Sequence, residues 1–147
     1  MRIIDRFSSE HDVFLAQLEV IDDLTRRETS VESIVSALRT LAAPLVAHAE
    51  NEERALFPDL EPSMGGGGGP LAILTEEHTT LHAQIDELVD DPTRQRLETV
   101  LDAFQRLLRG HIDKEEQVLF PAAAQILGDA TLEKLDRDLK QAGVGAR

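Results

Sequence analysis

Two segments of the chain nearly repeat one another: HAENEERALFP from His48 and HIDKEEQVLFP from His111. Each places a glutamate four residues after its histidine, Glu52 and Glu115, and each closes on Leu-Phe-Pro. Between them, EEHTTLH carries His78 and His82, again four apart, and His11 stands alone upstream. These are all five histidines of the chain. Side chains four apart on a helix share a face. Imidazole and carboxylate held together in that way are ligands for a transition metal. A single buried histidine is more often a satisfied core residue, and one glutamate four residues from a histidine is unremarkable in so acidic a chain. Two such pairs, a histidine pair and no histidine left over form a pattern that chance does not readily supply.

The surrounding residues turn these groups inward. One stripe reads Ile34, Leu38, Leu41, Leu45, His48, Glu52, Leu56, and another reads Leu97, Leu101, Phe104, Leu108, His111, Glu115, Leu119. Both have helical period, and the histidine and glutamate interrupt otherwise apolar lines. An ionised carboxylate buried on such a line needs a compensating cation. The stripes contain no Lys or Arg, so a metal is the simplest partner. If Glu52 and Glu115 each bridge two ions, and one oxide or hydroxide bridges them as well, each ion has three oxygens. His78 and His82, one turn apart, would chelate the same ion, and if His111 joins them that ion has six ligands. His11 and His48 leave the other with five and one position open for a small ligand. Glu50, Glu53, Glu76, Glu77 and Glu116 read either as solvated surface or as acceptors for imidazole N–H groups.

Four helices must position these residues. The first is expected from about Ser9 to Arg26, capped by Ser8 or Ser9, and the second from about Ser30 to Phe57, with Thr29 and Glu32 as a capping box. Pro44 predicts a kink one turn before His48. Pro58 to Pro70 reads as a loop, with Gly65 to Gly69 as a flexible tether. No Lys-Ser/Thr pair follows the glycines, so they are not a phosphate-binding loop. The third helix is expected from Pro70 to about Val89. Asp91-Pro92 opens the fourth, which runs to about Phe120. A short helix from Pro121 to Leu127 and a last one from about Ala130 to Gln141 follow. Strand signals are absent. The fold class is all-α: one domain over residues 1–147, an antiparallel up-down four-helix bundle with a short C-terminal helical extension and a core at about residues 8–121.

Composition narrows the function. The chain has 147 residues, 28 Asp and Glu against 15 Lys and Arg, and a formal charge of −13. A nucleic-acid surface or an anionic membrane is a poor partner for such a protein. Cys, Tyr and Trp are absent, which excludes disulfides, thiolate ligands and a tyrosyl ligand or radical. No long apolar run and no secretory pattern is visible, so a cytoplasmic protein is expected.

Imidazole with carboxylate suits iron, zinc or copper, and a carboxylate-bridged pair in a bundle points to iron. Five neutral imidazoles favour the reduced ions, and hence binding over rapid oxidation. The order His11, His48-x-x-x-Glu52, His78-x-x-x-His82, His111-x-x-x-Glu115 resembles the hemerythrin family, in its bacterial hemerythrin-like (HHE cation-binding) branch. The resemblance spans about residues 8–121. The invertebrate oxygen carriers of that family have a longer His-x-x-x-x-Asp on the fourth helix, whereas this chain has the shorter glutamate spacing known in the HHE branch. The resemblance implies a cofactor of two non-haem iron ions, carboxylate- and oxo- or hydroxo-bridged. It places His78, His82 and His111 on one iron and His11 and His48 on the open one. The expected function is binding of O2, NO or peroxide for sensing, storage or scavenging, with Phe14, Leu15 and Leu45 as a dry pocket wall. The alternative is a catalase-like, peroxide-degrading enzyme in which Glu10 or Glu53 moves protons. Iron storage and iron–sulfur cluster repair are weaker fits. Relatives with the repair role carry a Cys-containing N-terminal segment, and this chain has no Cys and is expected to start its bundle near Ser9.

Overall fold

The computed structural model of the protein describes residues 1–65 and 68–145. Gly66 and Gly67, the middle of the expected tether, lie outside the described residues. Among the described residues there is no strand. The elements are α1 (Ile3–Arg26), α2 (Val31–Ala55), α3 (Phe57–Met64), α4 (Pro70–Asp90), α5 (Arg94–Lys114), a π-helical turn (Glu115–Leu119) and α6 (Phe120–Gly145). The long helices α1, α2, α4 and α5 pack in cyclic order, α1 on α2, α2 on α4, α4 on α5 and α5 on α1. This is the four-helix bundle expected from the stripes.

The ends of the elements depart from expectation for local reasons. α1 starts at Ile3 rather than near Ser9, because Ile3, Ile4 and Phe7 continue its buried stripe upstream. The Arg2 backbone N–H donates to Asp5 Oδ2 (3.1 Å) at the new start. Ser8 and Ser9 are therefore interior residues, not caps. Ser30, rather than Thr29, caps α2 by accepting from the Ser33 N–H, while the Thr29 hydroxyl donates back to the Leu24 carbonyl. Thr93, rather than Asp91-Pro92, caps α5 by accepting from the Arg96 N–H. The expected loop after Pro58 is largely the helix α3, which buries Phe57 and Leu60.

The two Leu-Phe-Pro segments are handled differently. After α2 the chain breaks at Leu56 (φ −119°) before α3 begins. After α5 it widens into the π turn, in which the Phe120 N–H bonds to the Glu115 carbonyl, and then runs directly into α6. Pro121 lacks an N–H, and the wide turn before it absorbs the missing bond. Helix α6 contains the expected break at Gly128, whose φ of 77° suits glycine.

The buried faces of α1 and α2 recur in α4 and α5. Phe7, His11, Phe14, Leu18 and Ile21 have their counterparts in Leu74, His78, Leu81, Ile85 and Leu88, and all ten are buried. Ile34, Leu38, Leu41, Leu45, His48 and Glu52 likewise match Leu97, Leu101, Phe104, Leu108, His111 and Glu115, again all buried. The near-repeat seen in the sequence is thus half of a larger one, a helix pair present twice. The apolar residues form two cores. One spans Phe14, Leu38, Leu41, Ile85, Phe104 and their neighbours, and the other gathers Phe7, Leu56, Leu60, Leu119, Phe120 and Leu132. His48 and Glu52 fall on α2 between Leu45 of the first core and Leu56 of the second. A polar layer is therefore clamped between two apolar ones.

Helix α6 is fastened to α1 by a buried ion pair. Arg6 Nε and Nη2 donate to Asp136 Oδ1 (2.6 Å) and Oδ2 (3.1 Å), and Asp136 is 2% exposed. A two-pronged bond to a buried carboxylate is among the stronger polar contacts. Asp136→Ala is expected to lower stability by about 1.5–3 kcal/mol. The check is the urea midpoint, and a wild-type midpoint would remove the pair from any stabilising role.

Candidate metal centre

Two overlapping groups of potential ligands form in the polar layer. One donor atom from each of His11, His48, Glu52 and Glu115 lies within 4.8 Å of the others, and the same holds for Glu52, His78, His111 and Glu115. Every one of these six residues is buried, and both carboxylates are 0% exposed. The carboxylates are common to the two groups, and each group adds one histidine from each helix of a pair. His11 Nε2 is 3.0 Å from Glu115 Oε1, and His48 and His78 Nε2 are each 3.2 Å from Glu52 Oε1. His111 Nε2 is 3.4 Å from Glu115 Oε1 and 3.1 Å from His78 Nε2.

The outer side of each imidazole explains why the inner side is free. His11 Nδ1 donates to Glu116 (2.6 Å), His48 Nδ1 to Glu10 (2.6 Å), His78 Nδ1 to Glu53 (2.7 Å) and His111 Nδ1 to Glu77 (2.8 Å). An ionised carboxylate can only accept, so each Nδ1 carries the proton. In the neutral ring Nε2 then keeps its lone pair and points it into the centre. The four bonds close a ring around the bundle: α1 holds the histidine of α2, α2 that of α4, α4 that of α5, and the π turn after α5 that of α1. Glu53, Glu77 and Glu116 are thus acceptors, whereas Glu50 and Glu76 are exposed surface. Glu10 belongs to the ring too, a role that sequence reasoning missed. The available signal was position: Glu10 and Glu77 immediately precede His11 and His78, and Glu53 and Glu116 immediately follow Glu52 and Glu115. The π turn helps here, because it lets Glu115 face the centre while its neighbour Glu116 reaches α1 and accepts from Ser8 Oγ (2.8 Å).

His82 stands apart. It lies outside both groups, yet it lines the same small cavity, with its ring 6.4 Å from that of His78 and nearly parallel to it at 6°. Its Nε2 is buried without a partner. Among the described residues no carboxylate accepts from it. The cavity has about 10 Å³ of free space and is walled on its apolar side by Phe14, Leu45, Ala49, Leu81, Leu108 and Ile112. Phe14 and Leu45 occupy their expected places. Leu15 does not line the cavity and packs on the first core instead.

Each group of donors fits a metal ion. Neighbouring donors on an ion with bonds of about 2.1 Å stand about 3.0 Å apart when six surround it, close to the spacings here. One oxygen of Glu52, one of Glu115 and Nε2 of His48 and of His82 are buried with no hydrogen-bond partner. Such orphaned atoms are costly unless something not made of protein satisfies them. Protons partly do so in the metal-free chain. Burial, together with the like charge of Glu115, pushes the Glu52 carboxyl up to about 7. Burial opposes charge on His48, but the Glu10, Glu115 and Glu52 carboxylates outweigh it and raise its pKa to about 11. Burial would raise Glu115 as well, yet its contacts with Glu52 and with the His11, His111 and His48 imidazoles hold it well below the usual range.

Two outcomes are expected. Glu52 and His48 have folded-state pKa values above their unfolded ones, so their stabilisation is present at low pH and is lost as pH rises through the folded values. The chelator-treated protein should therefore melt lower at pH 9 than at pH 5.5, while metal, which replaces those protons, should flatten the slope. Parallel melting curves for the two forms would contradict the burial of protons in the site. Glu53→Leu should weaken metal binding about 10–100-fold without unfolding the bundle, since it frees the His78 ring to turn. Competition with a coloured chelator measures this, with circular dichroism as the folding control.

Comparison with known proteins gives a concordant result. Residues 2–123 match the hemerythrin HHE cation binding domain. The chain is 28% identical over 138 residues to the iron-sulfur cluster repair protein YtfE of Yersinia pestis (strain Pestoides F). It is equally similar to the protein of that name from Yersinia pseudotuberculosis serotype O:1b (strain IP 31758). The alignment takes in 82% of this chain and 62% of either relative, so the chain spans less than two thirds of their length. No solved structure matches it. Among the described residues no helix is long and apolar enough to cross a membrane. The chain belongs to the hemerythrin family, as a metal-binding HHE domain.

Proposed function

We propose that the protein is a non-haem di-iron protein that binds O2 or a related small ligand, NO or peroxide, for sensing, storage or scavenging. The supporting observation is the convergence of four imidazole lone pairs and two shared carboxylates beside a cavity of about 10 Å³ that the same histidines line. In this reading His11 and His48 hold one ion, His78, His82 and His111 hold the other, and Glu52 and Glu115 bridge them. When bound, such an iron pair supplies electrons and a vacant coordination position. The protein supplies the rest. Free space of about 10 Å³ is room for about one water-sized molecule, so the cavity selects by size. Phe14, Leu45 and Leu108 keep bulk water and its protons away from what binds there.

A peroxide-degrading enzyme would need a group free to shuttle protons. Glu10 and Glu53 are both committed to histidine Nδ1 protons, which favours binding over turnover. The relatives' printed role suggests a second reading, delivery of iron for iron–sulfur cluster repair. This chain has no cysteine, so any such delivery would use the His and Glu ligands alone.

The test is iron content with an optical spectrum, before and after azide. Wild-type protein should hold two irons per chain and change colour with azide, without sustained O2 release from peroxide. Zinc in place of iron, or a spectrum indifferent to azide, would sink the proposal. Iron passing to an apo-cluster acceptor would favour the repair reading. Glu52→Ala and Glu115→Ala should each fall to one iron or none, because each removes a donor from both groups. Native iron content in either variant would refute the bridging role.

A further inference from the structure

Both halves of the near-repeat close on Leu-Phe-Pro, and a phenylalanine has no donor atom to offer a metal. The backbone treats the two segments differently, with a break at Leu56 and a π turn before Phe120. The two rings nevertheless end in equivalent places. Phe57 lies nearly parallel to the His78 imidazole, with centroids 6.0 Å apart and planes at 10°. Phe120 lies nearly parallel to the His11 imidazole, at 5.5 Å and again 10°. Both phenylalanines are buried. Four residues before each stands the glutamate that holds the same histidine. Glu53 accepts from His78 Nδ1 at 2.7 Å, and Glu116 accepts from His11 Nδ1 at 2.6 Å.

These two contacts restrain different motions. A hydrogen bond at Nδ1 aims one edge of an imidazole, but the ring can still rock about that bond and swing Nε2 out of line. An aromatic face stacked on the ring opposes the rocking, since tilting would open the packed contact. We propose that Glu53-x-x-x-Phe57 and Glu116-x-x-x-Phe120 are clamps for His78 and His11: the carboxylate fixes the direction of the imidazole and the phenyl ring fixes its plane. Phe57 and Phe120 are thus positioning residues that act through a histidine. The exchange is reciprocal, because the segment after α2 grips a histidine of α4 and the segment after α5 grips one of α1. The motif His-x-x-x-Glu-Glu-x-x-x-Phe therefore does two jobs. Its first two named residues face the centre, and its last two hold a histidine of the other helix pair. His48 and His111 are placed otherwise. His48 meets only the edges of Phe7 and Phe14, at 72° and 86°, and among the described residues no phenylalanine stacks on His111. The clamp requires only that these histidines bind a metal, and does not depend on what that metal then binds.

Both phenylalanines also belong to the second apolar core, so plain packing is the rival role. Phe104 is the control, fully buried in the first core and stacked on no histidine among the described residues. The full chain is loaded with zinc, whose diamagnetism keeps the imidazole N–H protons visible by NMR, and zinc affinity is measured against a coloured chelator. Phe57→Leu should lose about tenfold in affinity. Its His78 Nδ1–H signal should broaden and exchange faster with solvent, while the His11 signal stays unchanged. Phe120→Leu should show the same loss with the two signals exchanged. Phe57→Tyr, which keeps the aromatic face, should retain wild-type affinity. Phe104→Leu loses core packing without touching a clamp, and should leave the affinity and both signals as they are. If Phe57→Leu does not fold by circular dichroism, Phe57→Met decides in its place, because it refills the space with a flexible chain that has no flat face. Wild-type affinity or an unmoved His78 signal in the folded variant overturns the proposal, as does an equal effect of Phe104→Leu.

Discussion

Everything in this bundle is arranged around lone pairs that face one another. Four Nε2 atoms and two carboxylates meet in a buried layer between two apolar cores. In so low a dielectric, groups of this kind repel unless positive charge sits among them. Burial and the like charge of Glu115 raise the Glu52 carboxyl, and, despite burial, the surrounding carboxylates raise the His48 imidazole, so the metal-free chain retains protons there. Yet protons satisfy only part of the set, and one oxygen on each carboxylate stays without a partner. A bound cation would satisfy what the protons leave. The layer's stability and its chemistry are therefore one problem.

The outer carboxylates show how the fold keeps that problem soluble. They are only half-buried, so their own charge stays hydrated and costs little. Each nonetheless fixes one imidazole, and each does so across a helix boundary. The ring runs one way around the bundle and returns to its start. A slip of one helix along its axis would thus break a bond to each neighbour. The neighbours of these acids differ: Lys114 pairs with Glu77, Ser8 donates to Glu116, and Arg6 lies near Glu10. Burial raises the Glu77 carboxyl, but Lys114 and His111 outweigh it and hold it below its ordinary range. Cation-bound Glu77 is a weaker acceptor than an unpaired one, so the bond it gives His111 differs from the other three of the ring.

The residues of the candidate centre were readable because they carry two independent signals, a period and a chemistry that contradicts it. Glu52 and Glu115 sit on apolar lines where an acid has no business, and the contradiction exposes them. Glu10 and Glu53 give no such signal, since a half-exposed acid on a helix is ordinary. Their meaning depends on which helix lies beside them, and a linear reading does not contain that. The start of α1 was misjudged for a related reason. Ile3, Ile4 and Phe7 look like an apolar tail until the second core, built from α3 and α6, gives them something to pack against. The π turn was illegible too, because it arises from Pro121 and from the demand that adjacent glutamates serve different helices.

Symmetry carries the last step. A helix pair used twice makes two like ligand sets facing each other, and the shared carboxylates follow from that geometry: each pair contributes one, and both sets use both. A scaffold of this kind tends toward two equivalent halves. A difference between them has to be written in a side chain. The burial pattern is so closely duplicated that few positions are left to write it in, and of the candidates only the exchange of Leu15 for His82 alters the number of donors. The asymmetry therefore costs the fold one residue on a half-buried turn, and leaves the ring and the shared carboxylates unchanged.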